Sequence, residues 1–142
     1  MEPINKMRTE FLSKSVNESF ARVVAASFAA QVDPSIEVLA DIRTAVSEAV
    51  TNAIIHGYGE EEGMVVLSCV LYPDFIEITV EDFGKGIEDV EKAKTPLYTT
   101  RPDLERTGMG FTVMETFMDS LEVESKPGQG TKVRMTKKLK NR

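Results

Sequence analysis

The sequence predicts an α+β fold, a two-layer sandwich in which a mixed or antiparallel sheet carries helices on one face. Two observations support this prediction: two helical stretches come early in the chain, and short β-branched runs follow in pairs separated by turns. Grouped helices and strands are typical of α+β proteins, whereas strict alternation indicates a doubly wound parallel sheet. The 142 residues are expected to form a single domain, 1–142, because a chain of this length can bury one core without disulfide or metal staples.

Helix start and stop signals place the two N-terminal helices. Ser15 and Glu18 have the spacing of a capping box, so the Ser15 side chain is expected to cap a helix over about 16–31. Asp33, followed by a proline, is a second start signal, because Asp caps helices and proline tolerates the first helical position. The second helix is then expected to continue until Gly57, its predicted C′ residue.

The predicted strands are β-branched or alternating runs bounded by turn residues. They are expected at 7–13, 64–71, 75–81, 120–125 and 131–137. Tyr72-Pro73-Asp74 joins the second and third strands in a hairpin, and the turn 127–130 joins the last two. Regular patterning fails from Gly84 to Thr107, which indicates a functional lid at about 87–107. One more short helix is expected after this stretch.

Composition restricts the class of protein. Apolar residues make up 42% of the chain and charged residues 28%, as in ordinary globular domains. No segment has the character of a membrane span or a secretion signal, so we expect a cytoplasmic protein. The single cysteine, Cys69, and the single histidine, His56, disfavour a disulfide framework, structural zinc and a His-dependent catalytic triad.

Charge is distributed unevenly along the chain. Seven of the 17 basic residues and none of the 23 acidic residues lie between Lys126 and Arg142, so the preceding body is strongly acidic. An acidic body disfavours direct binding to nucleic acid or to an anionic membrane. The basic C-terminal segment is interpreted as a solvated edge strand and chain end.

The second predicted helix carries the most informative pattern. Its apolar stripe, expected to face the sheet, consists of Leu39, Ile42, Val46, Ala49 and Ala53. The non-apolar residues from position 44 onward are Thr44, Ser47, Glu48, Thr51, Asn52 and His56. A face in bulk water normally carries several charges, so this polar face is expected to line a semi-enclosed pocket. Glu48 and Asn52 are one turn apart, and such a pair suits a proton acceptor beside a Mg²⁺ ligand.

Three glycine-containing segments follow. They are Asp82-Phe83-Gly84-Lys85-Gly86, Gly108-Met109-Gly110 and Gly128-Gln129-Gly130-Thr131. Glycines at a strand end let the backbone approach a flat ligand, and an acidic side chain there can accept hydrogen bonds from an exocyclic amine. Amides at a helix start favour a phosphate. The chain lacks the P-loop and Rossmann glycine patterns, so those nucleotide folds do not apply.

In this order, E-x-x-x-N on a helix, D-x-G-x-G, G-x-G and G-x-G-T resemble the ATP-binding domain shared by gyrase, Hsp90, histidine kinases and MutL, the Bergerat-type fold. The segments SEAVTNAIIHGY, PLYTTRPDLERTGMGF and NESFARV further resemble the family of sporulation anti-sigma F factors, which are serine protein kinases. The resemblance spans nearly all of residues 7–136 and is weakest in the loop 59–63 and in the C-terminal tail.

The resemblance implies a role for each matching residue. Glu48 would be the general base that takes a proton from the attacking serine, and Asn52 would hold Mg²⁺ against the triphosphate of ATP. Asp82 would bind the adenine amino group. The other implied nucleotide contacts are Gly84, Gly86, Thr107, Gly108, Met109, Gly110 and Thr131, and Arg106 would act on the γ-phosphate. Arg22, within NESFARV, would lie at the partner-binding surface.

The resemblance also implies the partners. They are a sporulation sigma factor that the chain inhibits, an anti-anti-sigma protein that carries the substrate serine, and a second copy of the chain in a homodimer. A stress-response anti-sigma kinase of the same family and a nucleotide-gated binding module without phosphotransfer remain open as alternatives. An ATPase clamp like gyrase or MutL is disfavoured, because no transducer domain follows.

For the remaining singled-out residues the structural interpretation is preferred. His56 is expected to compensate the dipole at a helix end, and Lys85 to be solvated. Met109, Met114 and Met118 recur at helical spacing and are expected in the core. Cys69, in the middle of a predicted strand, is expected to be a small buried hydrophobe.

Overall fold

A computed structural model describes residues 1–95 and 110–139. The strands in this part of the chain are β1 Asn5–Leu12, β2 Met64–Leu71, β3 Phe75–Asp82, β4 Ser120–Lys126 and β5 Gly130–Lys138. The α-helices are α1 Val16–Ala29, α2 Ile36–Asn52, α3 Val90–Ala93 and α4 Gly110–Phe117. A 3₁₀ turn, Ala30–Val32, follows α1, and a π-helix, Ala53–Tyr58, continues α2.

The strands form one sheet in the order β1-β2-β3-β5-β4, and every neighbouring pair is antiparallel. The predicted α+β class is confirmed, and of the two sheet types considered the antiparallel one is present. The pairing of β3 with β5 sets Asp82 opposite Thr131, so two of the glycine-containing segments meet at one end of the sheet.

Helices cover one face of the sheet. Alternate residues of β3 are buried beneath them, namely Ile76, Ile78, Val80 and Asp82. Helix α2 lies between α1 and α4 and contacts both. The predicted apolar stripe of α2 faces this core: Ile42, Val46, Ala49 and Ala53 are buried and Leu39 is partly buried. Fully buried alanines on α1, at positions 21, 25 and 29, let the two helix backbones approach closely.

The predicted core sulfur residues that the structure describes are also buried. Met114 and Met118 belong to the core, while Met109 lies outside the described residues. Cys69 has no exposed surface, and burial raises the pKa of its thiol to about 12. A thiol in such a setting behaves as a small hydrophobe.

Ser15 is the N-cap residue of α1 as predicted, but the predicted capping box is absent, and Asp33 does not cap α2. Ser15 is in the right-handed helical conformation and its side chain caps no amide; Glu18 instead accepts a hydrogen bond from Ser47 of α2 and pairs with Arg22. A tertiary contact between helices has therefore replaced the local capping box. Asp33 adopts a left-handed conformation, with φ of 54°, and Ser35 caps α2 by accepting from the amide of Val38 at 3.1 Å.

The predicted end of the second helix was also wrong. The backbone passes Gly57 in the π-helix and turns at Gly59, where φ is 62°. Gly57 is buried and packs against the side chain of Asp82. Part of the predicted lid is helical, because Asp89 caps the short helix α3 by accepting from the amide of Lys92. Lid residues 96–107 lie outside the described residues. Within the described ranges, no helix has the length and apolarity needed to cross a bilayer.

The turn between β4 and β5 yields a stability prediction. Gly128 and Gly130 both have positive φ, 79° and 91°, but only Gly130 is crowded: a Cβ there would lie 2.1 Å from the carbonyl oxygen of Asp82. We expect Gly128→Ala to lower the free energy of unfolding by about 1 kcal/mol, the left-handed penalty alone. Gly130→Ala should cost about 3 kcal/mol or more, because overpacking adds to it. Urea unfolding of both variants measures the difference, and equal losses would contradict the packing assignment.

Candidate functional site

A cavity of about 330 Å³ lies where the end of α2 and its π-helix meet the end of β3, the start of β5 and the start of α4. Its apolar walls are Ala49, Ala53, Val80, Ile87, Phe111 and Val133. Its polar lining includes Asn52, His56, Asp82, Lys85 and Thr131. Apolar walls with a few convergent polar groups are typical of a small-molecule site.

Asp82 is the polar focus of the cavity. It is 4% exposed and is the one charged side chain buried within the part of the chain that the structure describes. Burial raises the pKa of Asp82 to about 6, although hydrogen bonds from the backbone of Gly84 and Thr131 oppose the rise. A carboxylate held in an apolar cavity accepts hydrogen bonds strongly, so it suits a ligand that presents N–H donors such as an exocyclic amine.

The π-helix positions Asp82. The Gly57 carbonyl accepts from the amide of Lys85 at 2.9 Å, and a Cβ on Gly57 would lie 2.7 Å from the carboxyl carbon of Asp82. Tyr58 accepts from the amide of Phe83 at 2.8 Å and donates to the carbonyl of Met64. The π-helix therefore holds the backbone that directly follows Asp82. Gly57 and Tyr58 were not predicted as site residues, because no sequence pattern marks a single π-helical turn.

The glycines around Asp82 serve the protein's own packing. A Cβ on Gly84 would lie 2.0 Å from the carbonyl oxygen of Gly57, and one on Gly86 would lie 2.0 Å from that of Lys126. Gly84 does not line the cavity, and its contact with a flat ligand stays a prediction. Gly86 does line it, with φ of 77°.

Glu48 and Asn52 come together at the start of α4. A Cβ placed on Gly110 would lie 3.2 Å from the amide oxygen of Asn52 and 3.4 Å from a carboxylate oxygen of Glu48. The missing side chain of Gly110 thus lets the α4 N-terminus approach both polar groups. Asn52 faces the cavity, whereas Glu48 lines an adjoining depression between α1 and α2. The helix N-terminus favours an anionic group, and the carboxylate and amide oxygens beside it suit a cation bound to that group.

The other predicted site residues are distributed as follows. Thr131 lines the cavity and its hydroxyl is 2.8 Å from that of Ser125. Arg22 is exposed on α1 and lines the depression that Glu48 shares. His56 lies in the π-helix and lines the cavity, as does the exposed Lys85. Arg106, Thr107, Gly108 and Met109 lie outside the described residues.

No metal site built from protein ligands alone is present among the described residues, since no three His, Cys, Asp or Glu side chains cluster suitably. The oxygen donors beside Gly110 are the amide oxygen of Asn52 and the carboxylate of Glu48. This set fits Mg²⁺, which typically uses one or two protein oxygens together with substrate phosphates.

Comparison with known proteins agrees with this geometry. The family model described as "Histidine kinase-like ATPase domain" matches residues 12–137. The chain is 64% identical over 138 residues to the anti-sigma F factor of Clostridium novyi, with 96% of each chain covered. It is 64% identical over 137 residues to that of Thermoanaerobacter sp. X514, again with 96% of each covered.

A third relative and a solved structure extend the comparison. The anti-sigma F factor of Clostridium perfringens strain SM101 is 63% identical over 136 residues, which are 95% of this chain and 97% of that one. A crystal structure of RsbU and RsbW domains from Mycobacterium tuberculosis superposes with a TM-score of 0.68 at 19% identity, covering 96% of this chain and 32% of that chain. At this identity the likeness concerns the fold.

Proposed function

The chain belongs to the anti-sigma F factors, within the wider family of histidine kinase-like ATPase domains, and from this premise we propose that it inhibits a sporulation sigma factor and phosphorylates a serine of an anti-anti-sigma protein. Membership in an ATPase-domain family implies ATP binding. The observation that carries the proposed transfer is the convergence of Glu48 and Asn52 on Gly110, beside the cavity that contains Asp82.

In this proposal the cavity receives the adenine. The buried carboxylate of Asp82 accepts from the exocyclic amine, and the apolar walls contact the ring faces. Thr131 and Gly86 line the same cavity and adjoin the purine. Gly84 contributes indirectly, because its close contact with Gly57 holds the end of β3 in place.

The triphosphate then extends from Asp82 toward Gly110. The amides at the start of α4, with those of Gly108 and Met109, donate to phosphate oxygens. Asn52 supplies an oxygen ligand for Mg²⁺, which neutralises phosphate charge when bound. Arg106 and Thr107 are proposed to reach the γ-phosphate from the lid at about 87–107, whose described residues Ile87 and Glu88 line the cavity.

Glu48 acts on the second substrate. Its carboxylate takes the proton of the acceptor serine as the serine oxygen attacks the γ-phosphorus. The bond between that phosphorus and the bridging oxygen breaks, and the electron pair leaves with ADP. The position of this carboxylate in the adjoining depression, next to the α4 N-terminus, supports this role.

The partner assignments complete the proposal. Arg22 is exposed on α1; we propose that it lies at the partner-binding surface and that the active unit is a homodimer. A sigma-factor partner places the chain in the cytoplasm.

The test combines capture and transfer. The tagged chain is incubated with a sigma F factor in ATP or in ADP, and separately with an anti-anti-sigma protein and γ-labelled ATP. We expect nucleotide-dependent sigma capture and label on one serine of the acceptor, removed by Ser→Ala. Capture without transfer would replace the kinase by a nucleotide-gated binding module. The same assays with a stress-response sigma factor and its anti-anti-sigma protein are run in parallel, and transfer restricted to that pair would identify the other kinase of the family.

A further inference from the structure

The depression between α1 and α2 is a second polar concavity beside the proposed site. Its volume is about 610 Å³, and its polar lining consists of Arg22, Arg43, Thr44, Ser47 and Glu48. The α2 residues that line the depression precede those that line the cavity, so the two concavities adjoin along the helix. Glu48 lies at the boundary between them, one turn before Asn52.

The two arginines of the depression differ in their partners. Arg22 pairs with Glu18 at 3.6 Å, and Glu18 also accepts from the hydroxyl of Ser47, so the charge of Arg22 is partly neutralised. Arg43 is exposed, and none of the carboxylates in residues 1–95 and 110–139 forms a salt bridge with it. A solvated cation in the same depression as the proposed base, on a strongly acidic body, is available for an acidic partner group.

The direction of attack places the acceptor in this depression. A general base must contact the hydroxyl that it deprotonates, and the attacking oxygen lies opposite the leaving group. With the purine at Asp82 and the phosphates at Gly110, the leaving ADP occupies the cavity. The acceptor must then approach Glu48 from outside the cavity, which is the side that the depression occupies.

We propose that the depression is the acceptor-segment site and that Arg43 determines acceptor specificity by pairing with an acidic side chain near the substrate serine. This inference rests on the proposed kinase function. In the transfer step, the serine O–H bond breaks and its proton goes to Glu48, an oxygen–phosphorus bond forms, and the bond from the γ-phosphorus to the bridging oxygen breaks. ADP keeps that electron pair. Arg43 touches no reacting atom; it orients the segment.

A pairing residue of this kind alters binding of the acceptor rather than the chemistry. Arg43→Glu is expected to raise KM for the anti-anti-sigma protein roughly tenfold or more and to leave kcat at saturation within about twofold. The dissociation constant of ATP should not change. The wild-type KM should rise with ionic strength more steeply than that of the variant, because the lost contact is between charges.

The experiment measures steady-state transfer from γ-labelled ATP to the purified anti-anti-sigma protein for the wild type, Arg43→Glu, Arg43→Ala, Arg43→Lys and Arg8→Glu. Arg8→Glu is the control for the charge change, since Arg8 is exposed on β1 and its ion pair with Glu10 is local. A set of Asp or Glu→Lys acceptor variants near the serine is assayed with Arg43→Glu. If one acceptor variant restores the wild-type KM with Arg43→Glu, and does so with no other variant of the chain, the pairing is supported.

The outcomes separate the two proposals. A wild-type chain that transfers no phosphate overturns the kinase function and this inference with it. Normal wild-type transfer with an Arg43→Glu KM equal to that of Arg8→Glu overturns the inference alone. A lower kcat with unchanged KM also overturns it, because Arg43 would then act on the chemistry or the structure.

Discussion

Replacing Glu48 by Gln is expected to lower serine phosphorylation by roughly 10²- to 10⁴-fold, the usual contribution of a general base. Gln keeps the size of the side chain and its place beside Gly110, but an amide cannot take the proton. ATP binding should persist, because Asn52 and Asp82 are intact. Single-turnover transfer to the anti-anti-sigma protein and a separate ATP titration measure the two effects.

The matched control for this substitution is Glu37→Gln. Glu37 is exposed in the first turn of the same helix and lines neither concavity. Its variant is expected to transfer phosphate at the wild-type rate. If Glu48→Gln retains transfer within a few-fold of this control, Glu48 is not the base.

Asp82→Asn is expected to weaken ATP binding by roughly 10- to 100-fold, because the hydrogen bond from the adenine amine loses its charged acceptor. Asn can still accept from the amide of Gly84, which donates to Asp82 at 3.0 Å, so the local backbone should be kept. Fluorescent nucleotide titration measures the loss. Glu77→Gln, on the outward face of the same strand, should leave the affinity unchanged.

The same substitution is expected to stabilise the nucleotide-free protein. The pKa of Asp82 rises on folding from 3.8 to about 6 because burial penalises the carboxylate. The free energy of unfolding should therefore be highest, as far as this group determines it, below about pH 4 and should fall until about pH 6. At pH 7.5, Asp82→Asn should be more stable than the wild type by about 1 kcal/mol, which is less than the full shift because the cavity is open to solvent.

Urea unfolding at pH 4 and pH 7.5 tests this second effect. The advantage of Asp82→Asn should be present at pH 7.5 and should largely disappear at pH 4, where the wild-type carboxyl is protonated. An advantage that is equal at both values would exclude the charge as its cause. Gain of stability with loss of ligand binding is the expected behaviour of a group retained for function.

The elements with strong periodicity were predictable. The hairpin of β2 and β3 and the last two strands lie within one residue of their predicted bounds, because alternation and turn residues indicate the same structure. The stripe on α2 was predictable for a similar reason: burial of one helix face against a sheet requires that spacing. The close approach of Glu48 and Asn52 followed from helix geometry alone.

The features that depend on tertiary contacts were not predictable. Glu18 had the spacing to cap its own helix, but its carboxylate accepts a hydrogen bond from the hydroxyl of Ser47, which is distant in sequence. Ser35, rather than Asp33, caps the next helix, because Asp33 is in a left-handed turn. Gly57 matched a helix stop. The structural reason for glycine at this position is instead that a side chain there would clash with Asp82, which lies on another element.

The separation of Asn52 and Glu48 into two concavities was also beyond the sequence. Both residues are on the polar face, and the pattern predicted a single pocket for all six polar residues of that face. The start of α4 divides the face, since Gly110 abuts both side chains. The residues that form this boundary come almost 60 positions later in the chain, so the sequence of α2 alone could not predict it.

The sealed position of Cys69 has a practical consequence. It is the only cysteine of the chain, it has no exposed surface, and its thiol pKa is about 12, so maleimide reagents have no native target. A cysteine introduced on the surface, for example at Phe117, would then be the sole labelled position without prior removal of Cys69. A dye attached there can report local motion of a chain that differs from the wild type at one position.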